Sequence, residues 1–424
     1  MTRPSLACAA LLALLLSSCG TSPPTASSAP ATQARAQLLL VSIDGLRADA
    51  LDWGITPNLS ALATQGVRAQ WMNPSYPALT FPNHYTLVTG LRPDHHGIVH
   101  NSMDDAELGG FMVSRSDAVG DGRWWGGEPI WVGAEKAGLH AATWSWPGSE
   151  AQIDGVRPTH WQRYDGHVVP QARAMKVASW LEQRRPPIAL AALYFDQVDK
   201  AGHEHGPQSP EYRAAIASVD AAIGQLLARL RRDGRLAHTN IVIVSDHGMA
   251  TVPPAQVLAV EDMVPKDEAK VVSIGQSIGI APLPGKEAAA EARLLGPHAD
   301  YDCWRKQELP ARWHYGTHPR IPPIICQMHE GWDALPVEQV ADRHAGQVRG
   351  SHGFDPALPS MRAVFLARGP SFASGVTLPP FDNVDVYPLL ARLLGITAAP
   401  NDGDATTLLP ALRDPATPAG PQPR

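Results

Sequence analysis

Asp44 follows the apolar run QLLLVSI, Asp199 and His203 follow IALAALYF within DQVDKAGH, and Asp246-His247 follow NIVIVS. A further histidine, His352, stands between glycines in GSHGFD. Carboxylates gathered in one place repel one another and need a cation. Histidines among them point away from calcium and magnesium and toward zinc, with manganese, iron and cobalt as less exclusive alternatives. Gly202, between Asp199 and His203, predicts a turn that aims both side chains at one ion. Two such ions, about 3.5–4 Å apart, would clamp the attacking and leaving oxygens of an in-line displacement, which is phosphoryl or sulfuryl transfer.

A nucleophile for such a transfer stands in PALTFPNHYTLVTG. Pro82 suits a first helical turn and Gly90 suits a helix end, so a helix is expected to begin at Thr80. Two roles are open to Thr80. As an N-cap its oxygen would satisfy an orphan backbone N–H. As a nucleophile it would sit where a helix N-terminus favours negative charge. A free threonine hydroxyl attacks poorly, and metal coordination would make it an alkoxide. The acids and histidines therefore favour the nucleophile, with the capping role retained. His84, His95, His96, His100 and His205 have no comparable setting and are expected to be structural or at the surface.

The elements that must position these residues follow from periodicity. Segments 37–43, 140–146, 188–195, 240–245 and 361–367 read as buried strands. Segments 57–65, 170–183, 209–234 and 385–394 read as helices, the last with a kink near Pro388. Strands alternating with helices imply an α/β fold with a mostly parallel sheet covered by helices on both faces. In such folds ligands bind outside the carboxyl ends of the strands, where the acids stand. The alternation lapses over about 253–344, which is expected to be an inserted cap that shapes the specificity pocket together with the Trp124-Trp125 loop.

The chain has 424 residues, 44% hydrophobic and 18% charged, which is ample for a large core. A net charge of −6 excludes a broad nucleic-acid-binding surface. Residues 1–18 read as a signal peptide, with Arg3 ahead of an apolar stretch too short for a membrane span. In LSSCG, Cys19 suits lipidation as the first residue of a mature periplasmic or outer-membrane lipoprotein; plain cleavage nearby is the alternative. Residues 19–36 read as a flexible tether, 37–412 as the catalytic domain and 413–424 as a disordered tail. Export allows a disulfide between Cys303 and Cys326, with free thiols as the alternative.

DGLRAD at Asp44, TFPNHYTLVTG at Thr80, HGIVHN ending at Asn101, DKAGHEHGP at Asp199, SDHGM and SHGFD together resemble the type I phosphodiesterase/nucleotide pyrophosphatase family of the alkaline phosphatase superfamily, bacterial members included. The motifs span nearly the whole mature chain. The resemblance implies two zinc ions, one held by Asp199, His203 and His352, the other by Asp44, Asp246, His247 and the Thr80 oxygen. It implies that Thr80 attacks phosphorus to form a phospho-threonine that water clears. It implies that Asn101 and the backbone N–H near Phe81 hold a non-bridging phosphate oxygen. It also implies that Phe81 and Tyr194 sandwich a nucleotide base, against which both rings being ordinary core aromatics is the alternative. Ala78-Leu79 stand where many relatives carry a lysine.

Two rival readings remain, a sulfatase or phosphate monoesterase on the same scaffold and a lipid-anchored binding protein. A sulfatase would show Cys or Ser in a C/S-x-P-x-R setting, and Thr80-Phe-Pro-Asn-His does not. A phosphate monoesterase needs a cation for the extra charge; none stands beside Thr80, although Arg92 and Arg123 have no assigned place. A lipid-anchored binding protein with structural zinc would have closed sites, which rarely include threonine. The substrate stays open among dinucleotides, nucleoside triphosphates, phosphodiester headgroups and lysophospholipids.

Overall fold

The apolar runs pair with one another in the computed structural model, which describes residues 36–413. The signal peptide, Cys19, nearly all of the tether and all but the first residue of the tail lie outside those residues. Eight strands form the main sheet in the order Val376–Leu378, Val67–Ala69, Phe365–Arg368, Thr239–Val244, Gln37–Ile43, Ile188–Phe195, His140–Trp144 and His160–Gln162. Phe365–Arg368 runs antiparallel to both neighbours, and the other pairings are parallel.

The central strand shows why its sequence is apolar without alternation. Leu38 and Leu40 join the core on one face, while Leu39, Val41 and Ile43 join the core on the other. Helices Pro57–Gln65, Pro170–Glu182 and Pro210–Arg232 bring Leu59, Val177 and Ile216 to the second core. Helices Thr80–Thr89, Ile130–Lys136 and Val386–Leu394 bring Leu87, Trp131 and Leu390 to the first. Each large apolar side chain buried this way contributes roughly 1.5–3 kcal/mol.

Three local expectations are corrected. The helix Val386–Leu394 runs through Pro388 unbroken, because a first-turn N–H has no intrahelical partner to lose. The strand expected over 361–367 is the shorter Phe365–Arg368, since Pro359–Met361 forms a 3-10 turn and Ala363 instead bridges Met72. Thr80 is the first helical residue rather than the cap; Leu79 takes that position, and no side chain caps the helix.

Within 253–344 lies a second, antiparallel sheet, ordered Ala269–Val271, Ser277–Pro282, Ile324–Met328, Tyr301–Arg305 and Gly296–Pro297. Its side chains Ile278, Ile280 and Ile324, with Leu294 of the helix Glu287–Leu294, belong to a core of their own. Cys303 and Cys326 face each other across neighbouring strands and are disulfide-bonded.

Candidate active site and metal centre

Gln37–Ile43 lies between Thr239–Val244 and Ile188–Phe195, and all three run in the same direction. Their carboxyl ends therefore coincide, which gathers Asp44, Asp246-His247 and the Asp199 segment. Gly45 makes the approach possible. Its φ is +67°, and a Cβ there would stand 3.0 Å from the Asp199 Cα. Asp199 and His203 are not joined by a turn, as expected from Gly202. They lie one helical turn apart on Gln197–His205, so the i,i+4 spacing puts them on one face. Gly202 instead permits close packing, since a Cβ there would meet Met249 Cε at 2.8 Å.

The three histidines are held alike. Nδ1 of His203 donates to the Gly350 carbonyl, Nδ1 of His247 to Gly248, and Nδ1 of His352 to Ala78, at 3.0, 2.9 and 3.0 Å. Each Nε2 is left as the free ring nitrogen, the arrangement that orients metal-ligating imidazoles. His203 Nε2 and His352 Nε2 are 3.0 Å apart, and each lies 3.4 Å from Asp199 Oδ1. His247 Nε2 lies 2.9 Å from Asp246 Oδ2, 3.6 Å from Asp44 Oδ1 and 3.4 Å from Thr80 Oγ1. Ligands about 2.0–2.1 Å from a tetrahedral metal stand about 3.3 Å from one another. Both groups have edges of that size. The oxygens turned toward these nitrogens, Asp44 Oδ1, Asp199 Oδ1 and Asp246 Oδ2, are buried and without hydrogen-bond partners. At 2.9 Å, Asp246 Oδ2 and His247 Nε2 are close, and against the lowering effect of burial the Asp246 charge raises the His247 imidazole, so the pair draws positive charge between them. A shared cation would satisfy both.

The electrostatics express the same demand. Burial, then the charges of Asp246 and Asp199, push the Asp44 carboxyl well above the usual range. Burial also raises Asp199, against the pull of His203 and His247. At Asp246 burial is outweighed by the neighbouring His247 and His84, which hold the carboxyl well below its usual value. At His352 burial and the adjacent His247 and His203 drive the imidazole well down, so it is neutral and able to ligate.

Around this centre the remaining residues divide. Asn101 Oδ1 accepts the Phe81 N–H at 3.0 Å, so these two are hydrogen-bonded to each other rather than standing as independent donors. The Asn101 amide nitrogen is the donor left over. Tyr194 is buried, with its hydroxyl donating to Asp44 Oδ2 at 2.5 Å and its ring edge-on to His84. Phe81 is half-buried and backed by Phe111 and Trp125 at 6.1 and 6.0 Å.

A cavity of about 720 Å³ opens over the centre and is lined by Asp44, Thr80, Phe81, Asn101, Tyr194, Asp199, His203 and His352, with Tyr164 among others. No residue of 253–344 lines it, and Trp124 and Trp125 are buried behind Phe111 and Phe81. The inserted region acts one layer back. Its Ser277 carbonyl accepts from His100, and its Tyr315 hydroxyl donates to the Val99 carbonyl, bracing the segment that carries Asn101. Arg92 and Arg123 pair with Asp382 and Asp121, and neither lines the cavity.

Two residues without a sequence-derived role stand in the site. His84 receives the Ser42 hydroxyl at 2.7 Å on Nε2 and donates from Nδ1 to the Thr80 carbonyl at 2.9 Å, with Asp246 Oδ2 at 3.3 Å. Its position four residues after Thr80, one turn along the same helix face, was the available signal. Tyr164 is 53% exposed and donates to Asp196 Oδ2 at 2.7 Å; nothing in its surrounding sequence marks it.

The sequence model of the type I phosphodiesterase / nucleotide pyrophosphatase family matches residues 38–355. An uncharacterized pyrophosphatase/phosphodiesterase of Schizosaccharomyces pombe is 35% identical, over 89% of this chain and 80% of its own. The bis(5'-adenosyl)-triphosphatase of Mus musculus is 33% identical, over 87% of this chain and 79% of its own. In three dimensions, murine ectonucleotide pyrophosphatase/phosphodiesterase 5 is similar with a TM-score of 0.84 at 32% identity, covering 89% of this chain and all of its own. That murine protein has also been solved in an inactive threonine-to-alanine form in complex with AMP.

Proposed function

Because the chain belongs to the type I phosphodiesterase/nucleotide pyrophosphatase family, and is an enzyme of that class, we propose that it is an exported two-zinc hydrolase of phosphate diesters or nucleotide pyrophosphate bonds that works through a phospho-threonine. The observation that carries this reading is the convergence of three Nε2 atoms and three partnerless carboxylate oxygens beside the Thr80 hydroxyl. Asp199, His203 and His352 would hold one ion, and Asp44, Asp246, His247 and Thr80 the other. His84 is not counted as a ligand, since both its ring nitrogens already have partners. Zinc, when bound, supplies the positive charge that lowers the hydroxyl's pKa and neutralises the phosphate.

The remaining work falls to the chain's own groups. Thr80 stands at the start of Thr80–Thr89, where the helix dipole favours its ionised oxygen. That oxygen forms the new bond to phosphorus as the leaving group departs with its electron pair. Water then cleaves the phospho-threonine and restores the hydroxyl. The Asn101 amide donates to a non-bridging oxygen as charge builds there. A nucleotide base fits against Phe81, as expected, but with Tyr164 rather than Tyr194 as the second ring. Tyr194 is buried with its hydroxyl on Asp44, whereas Tyr164 offers an exposed ring to the same cavity. The murine relative's complex with AMP supports a small nucleotide substrate. Export, with Cys19 lipidated, rests on the N-terminal sequence.

The test is turnover of bis(p-nitrophenyl) phosphate against p-nitrophenyl phosphate on zinc-loaded protein and on Thr80→Ala. A diester preference is expected, with at least about 10³-fold loss of kcat in the variant and retained metal. A Thr80→Ala protein as active as the parent would overturn the nucleophile; a monoester preference would overturn the substrate class.

A further inference from the structure

We propose that Lys200 and Arg349 form a leaving-group subsite that takes the distal phosphates of a nucleoside polyphosphate, so that this enzyme favours a phosphorylated leaving group over an uncharged one. The inference rests on the proposed function and deepens it. Thr80 Oγ1 lies 3.4 Å from His247 Nε2, on the side of Asp44 and Asp246. In-line displacement sends the leaving oxygen to the opposite side, toward Asp199, His203 and His352. Both cations belong to the segments that carry these residues. Lys200 follows Asp199 on the helix Gln197–His205, and Arg349 Nε donates to the His203 carbonyl at 3.0 Å. That bond anchors the base of the guanidinium, whose terminal nitrogens have no hydrogen-bond partner among the described residues, and planar forked donors suit phosphate.

Neither cation is neutralised. Both are exposed, both line the cavity shared with Thr80, and neither has a carboxylate within 4.0 Å among the described residues. The remaining arginine of the cavity, Arg163, is paired with Glu150 at 3.0 Å. Glu204 lies on the same wall and sits 3.7 Å from His205 Nε2, so one negative charge stands against two positive ones. Phe81 and Tyr164 line the same cavity, Tyr164 with its hydroxyl on Asp196, one helical turn before Lys200. Rings, the nucleophile and unpaired cations in one cavity match a base, an α-phosphate and further phosphates. In the reaction the bond from the α-phosphorus to its bridging oxygen breaks, and pyrophosphate departs with the electron pair. The charged subsite holds it as it leaves.

Two substrates that share a nucleoside 5'-phosphoryl group and differ in the leaving group test this. They are ATP and p-nitrophenyl thymidine 5'-monophosphate. In the Lys200→Gln/Arg349→Gln protein the ratio of kcat/KM for ATP to that for the aryl ester is expected to fall about tenfold. The ratio should be restored in part by Arg349→Lys, which keeps the charge. A ratio unmoved by the double substitution would overturn the subsite. A binding arm separates this from the catalytic reading. On a Thr80→Ala background, the affinity for ATP relative to AMP is measured by calorimetry with and without the two substitutions. A fall of similar size supports the subsite even if neither substrate is turned over, an outcome that would remove only the proposed function; an unchanged ATP-to-AMP ratio refutes the subsite.

Discussion

Replacing Asn101 should be worse with aspartate than with alanine, although aspartate is the closer match in shape. Asn101 Oδ1 accepts the Phe81 N–H at 3.0 Å, which orients the amide and leaves Nδ2 as the donor. Asn101→Ala removes that donor and frees the Phe81 N–H. Loss of one donor of this kind costs about 10²–10³ in kcat, and the released N–H offsets part of it, so about 10² is expected. Asn101→Asp keeps the Phe81 N–H engaged, removes the donor and adds a negative charge. At a separation of about 5 Å and an effective dielectric of about 20, that charge opposes the phosphate by roughly 3 kcal/mol, or another ~10²-fold. The aspartate variant should therefore sit about 10⁴ below the parent, and the alanine variant midway on a logarithmic scale. The assay is steady-state hydrolysis of bis(p-nitrophenyl) phosphate, with zinc content measured on each protein. The loss should appear in kcat more than in KM, because the interaction strengthens only as charge develops. An aspartate variant as active as the alanine variant would refute the pairing of Asn101 with Phe81 as the basis of its role.

Three further outcomes follow from other contacts. Tyr194→Phe removes the hydroxyl that donates to Asp44 Oδ2, and should weaken metal affinity about 10–100-fold, read by competition with a chelator. Burial pushes His96 down to about 3 and His100 to about 4, from an ordinary 6.5. The unfolded chain therefore binds more protons than the folded one below pH 6.5. Stability is fully present above that pH and is lost as pH falls toward 4, by roughly 2–3 kcal/mol per histidine at pH 4.5. Denaturation across that range should become shallower in His100→Gln; an unchanged slope would reject the assignment. Cys303 and Cys326 close a loop with a sequence separation of 23, so replacing both with alanine should cost about 3 kcal/mol of stability in denaturant titration, with little effect on the cavity.

Much of this site was legible because its chemistry depends on residue types at strand ends, and parallel topology brings adjacent strand ends together. Asp44, Asp246 and Asp199 needed no long-range information beyond the alternation of strand and helix. His247 followed for the same reason, whereas His203 was marked by its spacing from Asp199 and His352 by its place between glycines. Details that depend on which way a side chain turns were not legible. Thr80 was expected to cap its helix, yet its hydroxyl faces His247 and Leu79 holds the cap position. Gly202 suggested a turn because glycine is a common turn residue, when its lack of a side chain serves packing against Met249 inside a helix.

Tyr194 shows the limit most sharply. In a strand covered on both faces the residues on either side are equally apolar, so periodicity cannot say which way a tyrosine points. Ala192 and Leu190 pack in one core, Leu193 and Phe195 in the other, and Tyr194 falls on the first, beneath the Thr80 helix. A buried tyrosine hydroxyl needs a partner, and Asp44 supplies it. That satisfaction holds the Tyr194 ring in the core and leaves Tyr164 as the exposed tyrosine of the cavity. The cations were hidden for the opposite reason. Lys200 and Arg349 look like any solvated charges in the chain, and only the direction of displacement set by Thr80 gives them a place in the chemistry.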